Sequence, residues 1–298
     1  MEIVIFSFNR ALQLKALLYS LFKYVHCANM QIQVLYNTTN ERFQDGYDIL
    51  QNQFKEKVTF HKEKTKNYRF SFYELIDLYN LRLLYLCPLL RGGKTNFREQ
   101  LLSLLCDKKG EVMFLTDDSV FVDDVFIHEN DLQWLHESPW HRQLSLRIGG
   151  EFKTDDVTYV EKNTWKFSSY SSRCIWGYQF SLDAHIYDIY CMKEFLRCTT
   201  FKNPNTLESV GALHSGKKGK FEFGRHLGNV KILSYPINIV QKTFDNEALN
   251  ADINTLNEYL LCGYNLVLPK PQVITDFQVY PDYVEVVKDA ETLRLNIK

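Results

Sequence analysis

The sequence has no C-x-x-C pair, no zinc spacing among its eight histidines and no charge-free apolar stretch of membrane-spanning length. Each absence excludes something. Seven cysteines (27, 87, 106, 174, 191, 198 and 262) are odd in number and scattered, which fits free thiols in a reducing cytoplasm rather than a disulfide framework. Cys191 and Cys198, seven apart, fall on one face of a helix, where they pack. The histidines at 26, 61, 128, 136, 141, 185, 214 and 226 give no structural zinc site. The most apolar long stretch, 70–90, contains Glu74, Asp77 and Arg82 and ends near Pro88, so it reads as a buried or interfacial helix. The N-terminus, Met1-Glu2-Ile3-Val4-Ile5, lacks the basic region of a signal peptide and reads as a strand. Charge of one sign is missing too: 35 Lys+Arg against 36 Asp+Glu leave -1, too little field to coat nucleic acid. What is present is a 45% hydrophobic, 14% aromatic chain of 298 residues, which rules out bulk disorder and suits one large domain or one with a small appendage.

Hydrophobic patterning divides the chain into two styles. Residues 2–6 form a strand broken by Ser7-Phe8-Asn9-Arg10, and Leu14, Leu17, Leu18 and Leu21 then follow helical spacing, with Asn9 as its expected cap. Strands are expected at 32–36 and 58–60, with helices at 48–54 and 72–87. A Gly92-Gly93 break precedes a helix from Phe97 to Cys106, for which Asn96 and Glu99 suggest a capping box. Val112-Met113-Phe114-Leu115 is a buried strand running into Thr116-Asp117-Asp118-Ser119. This alternation predicts a parallel α/β sheet whose ligand edge gathers 7–10, 36–40 and 116–119. The second half is less regular. A strand is expected at 144–148, an excursion at 151–175, a helix at 184–197 and another opened by Asn203-Pro204. A basic glycine-rich loop is expected at 215–229, then a strand-like segment at 232–240 and a short helix at 256–261.

The chemistry concentrates at Asp117-Asp118. Adjacent carboxylates at a strand end can hold a divalent cation together with substrate phosphates, or form a solvated turn; Asp123-Asp124 more simply starts a loop or helix. Asp183 and Glu208 are further candidate functional carboxylates near two expected helix starts. Their alternatives are an N-cap for the 184–197 helix and a first-turn acid favoured by the helix dipole. Arg10, Lys94 and Arg98 can reach a diphosphate or sit as solvated termini. Lys217, Lys218, Lys220 and Arg225 lie on the glycine-rich segment, which reads either as a lid or as a surface loop. His214 and His226 are open choices for completing a metal site. Among four tryptophans, packing is expected of Trp134, Trp140 and Trp165, and Trp176 is the one left open to a ligand.

The segments Phe6-Ser7-Phe8-Asn9-Arg10 and Phe114-Leu115-Thr116-Asp117-Asp118 resemble the nucleotide-sugar half of GT-A glycosyltransferases. Further segments, in order, resemble a group of such proteins from bacterial surface-polysaccharide loci. They are Ser145-Leu146-Arg147-Ile148-Gly149, the run from Trp176 through Ser181-Leu182-Asp183-Ala184-His185-Ile186-Tyr187, Asn203-Pro204-Asn205-Thr206-Leu207-Glu208, and Pro236-Ile237-Asn238-Ile239-Val240-Gln241. The chain departs from the pattern in three places. Ser119 replaces the last acid of a strict Asp-x-Asp, Tyr36-Asn37 stands where relatives carry an Asp, and Ala184 stands where Gly is expected.

The resemblance implies an α/β, GT-A-like (Rossmann-like), mostly parallel sheet flanked by helices, with an irregular C-terminal half. Residues 1–124 would form the nucleotide-sugar-binding half and 125–298 the acceptor-binding half. The implied activity is a hexosyltransferase-like transfer from a nucleotide-diphosphate sugar, UDP-sugar first, to a glycan or lipid-linked glycan. It would depend on Mn2+ or Mg2+ held by Asp118 and Asp117. Donor-binding residues would be Ser7, Phe8, Asn9, Arg10, Tyr36, Arg98 and Asp117. Acceptor-binding residues would be Trp176, Asp183 and His185, with Glu208 and Asp183 catalytic. The setting would be cytoplasmic, at the inner face of a membrane with peripheral association, and nucleic acid is not an expected partner. Two rivals remain. A nucleotidyltransferase needs a glycine-rich loop after the first strand, which Ser7-Phe8-Asn9-Arg10 is not. A catalytically inactive glycan- or nucleotide-sugar-binding protein on the same fold is the alternative that the imperfect acidic motif keeps open.

Overall fold

A computed structural model describes residues 1–64, 96–150, 152, 157–167, 179–199, 201–240, 248–274 and 276–297. The expected 72–87 helix, Gly92-Gly93, Lys94, Trp176, Gln241 and most of 151–175 lie outside the described residues.

The first 62 residues wind three strands and two helices: β1 (Glu2–Phe8), α1 (Ala11–Tyr24), β2 (Gln31–Asn37), α2 (Glu41–Phe54) and β3 (Val58–Lys62). Then follow α3 (Phe97–Leu105), β4 (Glu111–Thr116), β5 (Ser119–Phe121), α4 (Glu129–Glu137), β6 (Arg142–Ser145), β7 (Val157–Glu161) and β8 (Thr164–Phe167). The remainder comprises β9 (His185–Asp188), α5 (Ile189–Arg197), α6 (Pro204–Lys218), β10 (Phe223–His226), β11 (Ile232–Ser234), α7 (Ile253–Leu261), β12 (Asn265–Val267), β13 (Tyr283–Lys288) and β14 (Glu291–Asn296).

Nine strands form one mixed sheet in the order β3-β2-β1-β4-β9-β6-β10-β8-β7. Its core is mostly parallel: β3, β2, β1 and β4 run together, and β6 runs with β10. β9 enters antiparallel between β4 and β6. Both faces are covered, which is why β1 and β4 read as unbroken apolar runs. Ile3, Ile5, Met113 and Leu115 face one core with α1, α2 and α7, whereas Val4, Phe6, Val112 and Phe114 face the other with α3 and α5. The fold is α/β. β11 pairs with β5, and β12–β14 form a small antiparallel sheet beside α1.

Several local expectations change. Asn9 does not cap α1. It adopts φ 57, and the cap position falls to Arg10, which makes no side-chain cap bond. Asn96 makes no side-chain cap bond either, its backbone lying at φ -113, ψ 14, and Glu99 pairs with Arg98. Residues 185–188 form a strand, not the start of a helix; Ile186 and Tyr187 point to opposite cores, and pairing with β4 and β6 overrides local helix propensity. Asp188 therefore caps the following helix, accepting from Cys191 N, and Asp183 does not. The expected basic loop is largely ordered. α6 runs through Lys218 to a left-handed Gly219 cap, and Arg225 lies inside β10, paired with Glu161 at 3.1 Å. Asn203 does open α6, in a reciprocal capping box with Thr206 behind Pro204. α2 begins earlier than its periodicity suggests, because Asn40 caps it by accepting from Phe43 N. Among the described residues no helix is long and apolar enough to cross a membrane.

Candidate functional site

The carboxyl ends of β1, β2 and β4 meet through direct hydrogen bonds. In the order 3-2-1-4 the chain reverses direction across the sheet between β1 and β4, where α/β folds open a crevice. Asp117 closes that crevice. Its backbone N–H donates to Phe6 O at 3.2 Å, and its Oδ2 accepts from Ser7 Oγ at 2.8 Å and Phe8 N at 3.0 Å. Ser7 gives its only hydroxyl proton to Asp117, so the Tyr47 hydroxyl, 2.5 Å away, must donate to Ser7, while it accepts from Arg10 N. Asn9 ties the β1 loop to the β2 loop: its N–H donates to Asn37 O, its Nδ2 to Thr39 Oγ1, and its Oδ1 accepts from Thr39 N. An asparagine suits this place because it tolerates the left-handed backbone.

Arg10 joins the acid pair. Its Nη1 lies 3.1 Å from Asp117 Oδ1 and 3.2 Å from Asp118 Oδ2. Its Nε donates to Asn238 Oδ1 at 2.7 Å and its Nη2 to Asn238 O. Burial by itself would loosen the Arg10 proton, and the two carboxylates more than offset that, so the guanidinium is held charged. Burial pushes the Asp117 carboxyl up to about 6 despite Arg10, with the Asp118 charge adding to the rise.

A second cluster adjoins the first. Thr116 Oγ1 stands 2.8 Å from both Asp118 Oδ1 and Asp183 Oδ1. Asp183 Oδ2 accepts from Arg147 Nη1 at 2.9 Å, and the same nitrogen reaches Ser181 Oγ at 3.0 Å. The Arg147 guanidinium lies 3.5 Å above the Phe277 ring, a cation–π contact that fixes its plane. Glu208, on the second turn of α6, accepts at Oε1 from Ser181 Oγ at 2.7 Å and Leu182 N at 3.0 Å. Burial raises both acids above the usual carboxylate range: Asp183 against the pull of Arg147, Glu208 with added repulsion from Asp183. One continuous polar network thus runs Asn238, Arg10, Asp117/Asp118, Thr116, Asp183, Arg147, Ser181 and Glu208.

Other predicted site residues are placed elsewhere. Arg98 is buried in the first turn of α3, where it donates to Thr199 O and Arg197 O beside the end of α5. The Tyr36 ring is 4% exposed and stacks on Tyr47 at 4.3 Å, which leaves no face for a base; its hydroxyl accepts from Gln44 and Gln51. His185 is enclosed under the cluster, and burial with the Arg147 charge pushes it down to about 3, so it is neutral. His214 packs against Phe195, and His226 stacks with Trp165. Trp165 is fully buried, and Trp134 and Trp140 carry Arg142 and Lys220 over their rings.

The residues do not fit a metal held by the acid pair. Both Asp117 oxygens and Asp118 Oδ2 already accept from protein donors, the single Thr116 hydroxyl proton lies between Asp118 Oδ1 and Asp183 Oδ1, and the position between the two carboxylates holds the Arg10 cation. Among the described residues no group of three His, Cys, Asp or Glu side chains is placed to hold an ion. Sequence reasoning missed Arg147 and Asn238 as site residues and placed Thr116 only within the expected ligand-edge segment. Each stood inside a segment that carries the resemblance, but a single arginine or asparagine there gives no signal of its partner.

No family model matches the chain, and no curated protein matches it. Solved structures do. The S. aureus TarS structure aligns over 87% of this chain and 42% of that chain, at 12% identity and a TM-score of 0.44. TarS 1-349 in complex with UDP aligns over 87% and 63%, at 14% identity and 0.41. Apo mouse Xyloside xylosyltransferase 1 aligns over 78% and 97%, at 7% identity and 0.37. The chain spans less than half the length of the TarS chain it matches.

Proposed function

We propose that the chain is a nucleotide-sugar glycosyltransferase that moves a sugar from a nucleoside-diphosphate donor to a glycan or lipid-linked glycan hydroxyl. The observation that carries this reading is the juxtaposition, at the carboxyl edge of one α/β sheet, of the strand-end loops 7–10 and 116–119 with two half-buried acids, Asp183 and Glu208. Such an edge is where α/β folds take nucleotides. Residues 1–124 supply the donor side, with Ser7, Phe8, Asn9, Arg10 and Asp117 forming its floor, and 125–298 the acceptor side. Transfer belongs at the inner face of a membrane in this reading, by resemblance.

Glu208 is the general base. Its Oε1 is pinned by Ser181 and Leu182, and its raised pKa makes it a stronger proton acceptor than an exposed carboxylate. As the acceptor oxygen attacks the anomeric carbon, its proton passes to Glu208 and the diphosphate leaves. Asp183, oriented by Arg147 and Thr116, positions the acceptor hydroxyl. General-base catalysis of this kind contributes about 10²–10⁴-fold.

One observation favours the second reading, a catalytically inactive sugar- or nucleotide-binding protein: the acidic motif is engaged by Arg10. The test separates the two. A panel of nucleotide sugars, UDP-sugars first, is incubated with the chain, and release of nucleoside diphosphate is followed with and without acceptor. Slow hydrolysis without acceptor supports the transferase; binding without any release supports the inactive protein.

A further inference from the structure

Two adjacent carboxylates at a strand end, Asp117 buried and Asp118 half-buried, need a counter-charge, and here the chain supplies its own. Arg10 Nη1 stands 3.1 Å from Asp117 and 3.2 Å from Asp118, one nitrogen against both acids. The other side of the guanidinium is anchored to both the side chain and the backbone carbonyl of Asn238, 228 positions along the chain. Arg10 is 9% exposed. The cation is therefore part of the packed structure and not a mobile surface charge. Ser7 Oγ and Phe8 N take the other Asp117 oxygen, and the Thr116 hydroxyl stands 2.8 Å from the other Asp118 oxygen, its one proton shared with Asp183. A divalent cation binds oxygens at about 2.0–2.6 Å, so it would have to displace these donors and enter beside a fixed positive charge.

We propose that the Arg10 guanidinium stands where a divalent cation would sit between Asp117 and Asp118, and that this chain therefore binds a nucleoside diphosphate without metal. The inference rests on the nucleotide-sugar reading above and reverses its expected Mn2+ or Mg2+ dependence. The guanidinium offers one further advantage over an ion: it is present before the substrate arrives, so the charge is preorganised and needs no assembly. Four of its five N–H groups are committed to Asp117, Asp118 and Asn238, which leaves one Nη2 N–H for a ligand oxygen. Arg147, whose buried Nε has no hydrogen-bond partner among the described residues, is the second fixed cation of the network.

The experiment uses the full chain and two probes, Mn2+ alone and uridine diphosphate. Free Mn2+ is followed by electron paramagnetic resonance as protein is added. The wild type is expected to leave the signal unchanged. Arg10→Met, which keeps the aliphatic bulk and removes the charge, is expected to take up Mn2+, and Arg10→Lys, which keeps the charge, is not. Mn2+ uptake by the wild type that Asp118→Asn abolishes overturns the proposal. So does a folded Arg10→Met that binds no Mn2+. Calorimetry with uridine diphosphate is then run in Mn2+ and in excess EDTA. Affinities agreeing within about twofold support the inference, and a loss of about tenfold or more in EDTA overturns it while leaving the nucleotide-sugar reading intact. No nucleotide binding in either condition removes that reading instead, and the Mn2+ titrations still decide whether Arg10 excludes the ion. If Arg10→Met does not fold, the wild-type titration and Arg10→Lys carry the test.

Discussion

Arg147 donates to Asp183 at 2.9 Å across the gap between the end of β6 and the start of β9. The pair sits between the two acid groups of the site, with Thr116 and Asp118 on one side and Ser181 and Glu208 on the other. Arg147 partly cancels the Asp183 charge that raises Glu208. It thus adjusts the base as well as orienting its neighbour.

Glu208→Gln is expected to lower transfer by about 10²–10⁴-fold while leaving donor affinity within about twofold. Gln keeps an acceptor for Ser181 and Leu182 and removes a buried charge, so melting should hold or rise slightly. Initial rates and calorimetry on the same preparation check this. Near-native turnover would remove Glu208 from the mechanism and put Asp183 in its place.

Asp117→Asn and Asp118→Asn should separate stability from activity. Both Asp117 oxygens face N–H donors, Arg10 on one side and Phe8 on the other, so an amide NH2 meets a donor in either orientation. A loss of about 2–3 kcal/mol is expected. In Asp118→Asn the new amide can turn its oxygen to Arg10 and its NH2 to the Thr116 hydroxyl, which accepts as readily as it donates. The stability of this variant should stay within about 1 kcal/mol of wild type. Its transfer rate should nevertheless fall about a hundredfold, because Asp118 is one of the two carboxylates that fix the Arg10 cation beside the proposed diphosphate site, and a misplaced binding group costs about that much. Urea titrations and transfer rates test both halves, and the reverse order of stabilities would sink the argument.

Acid lability follows from the buried histidines. Burial lowers His185 from 6.5 to about 3 and His214 from 6.5 to about 4. Each group's folded value lies below its unfolded one. The stability from keeping each neutral is present above pH 6.5 and is lost as pH falls toward the folded value, by about 1.4 kcal/mol per pH unit per histidine. Asp117 acts in the opposite sense. Its value is raised from 3.8 to about 6, so its contribution is present at low pH and lost as pH rises through that window. Asp183 and Glu208 are raised too and act with Asp117, so the histidine contribution is read as the difference between wild type and a histidine variant. Removing one, as in His185→Asn, should flatten the slope of unfolding free energy against pH between 6 and 4. An unchanged slope would contradict the burial of a neutral imidazole.

Ala184 holds φ 56 while fully buried, a backbone conformation that favours glycine. Ala184→Gly should therefore stabilise the protein by about 0.5–1 kcal/mol, against the usual direction of such a change. Denaturant midpoints at constant m-value check it, and destabilisation would show that the methyl's packing outweighs the strain.

The sequence by itself determined the first half of the fold, because Ile3 to Phe6 and Val112 to Leu115 are unbroken apolar runs of strand length, separated by amphipathic helices such as α1. It also placed the segments 7–10 and 116–119 at one edge, since all parallel strands end on the same side. The resemblance supplied the acids Asp183 and Glu208, but their surroundings were not legible. Arg10 and Asn238 are 228 positions apart and Arg147 and Asp183 36, and no local pattern encodes which cation reaches which carboxylate. Residues 185–188 show the same limit from the side of secondary structure, because only pairing with β4 and β6 makes them a strand. What tertiary structure alone decided is the balance of charge at the site: long-range packing brought Arg10 against an acid pair that the sequence, read locally, offered to a metal.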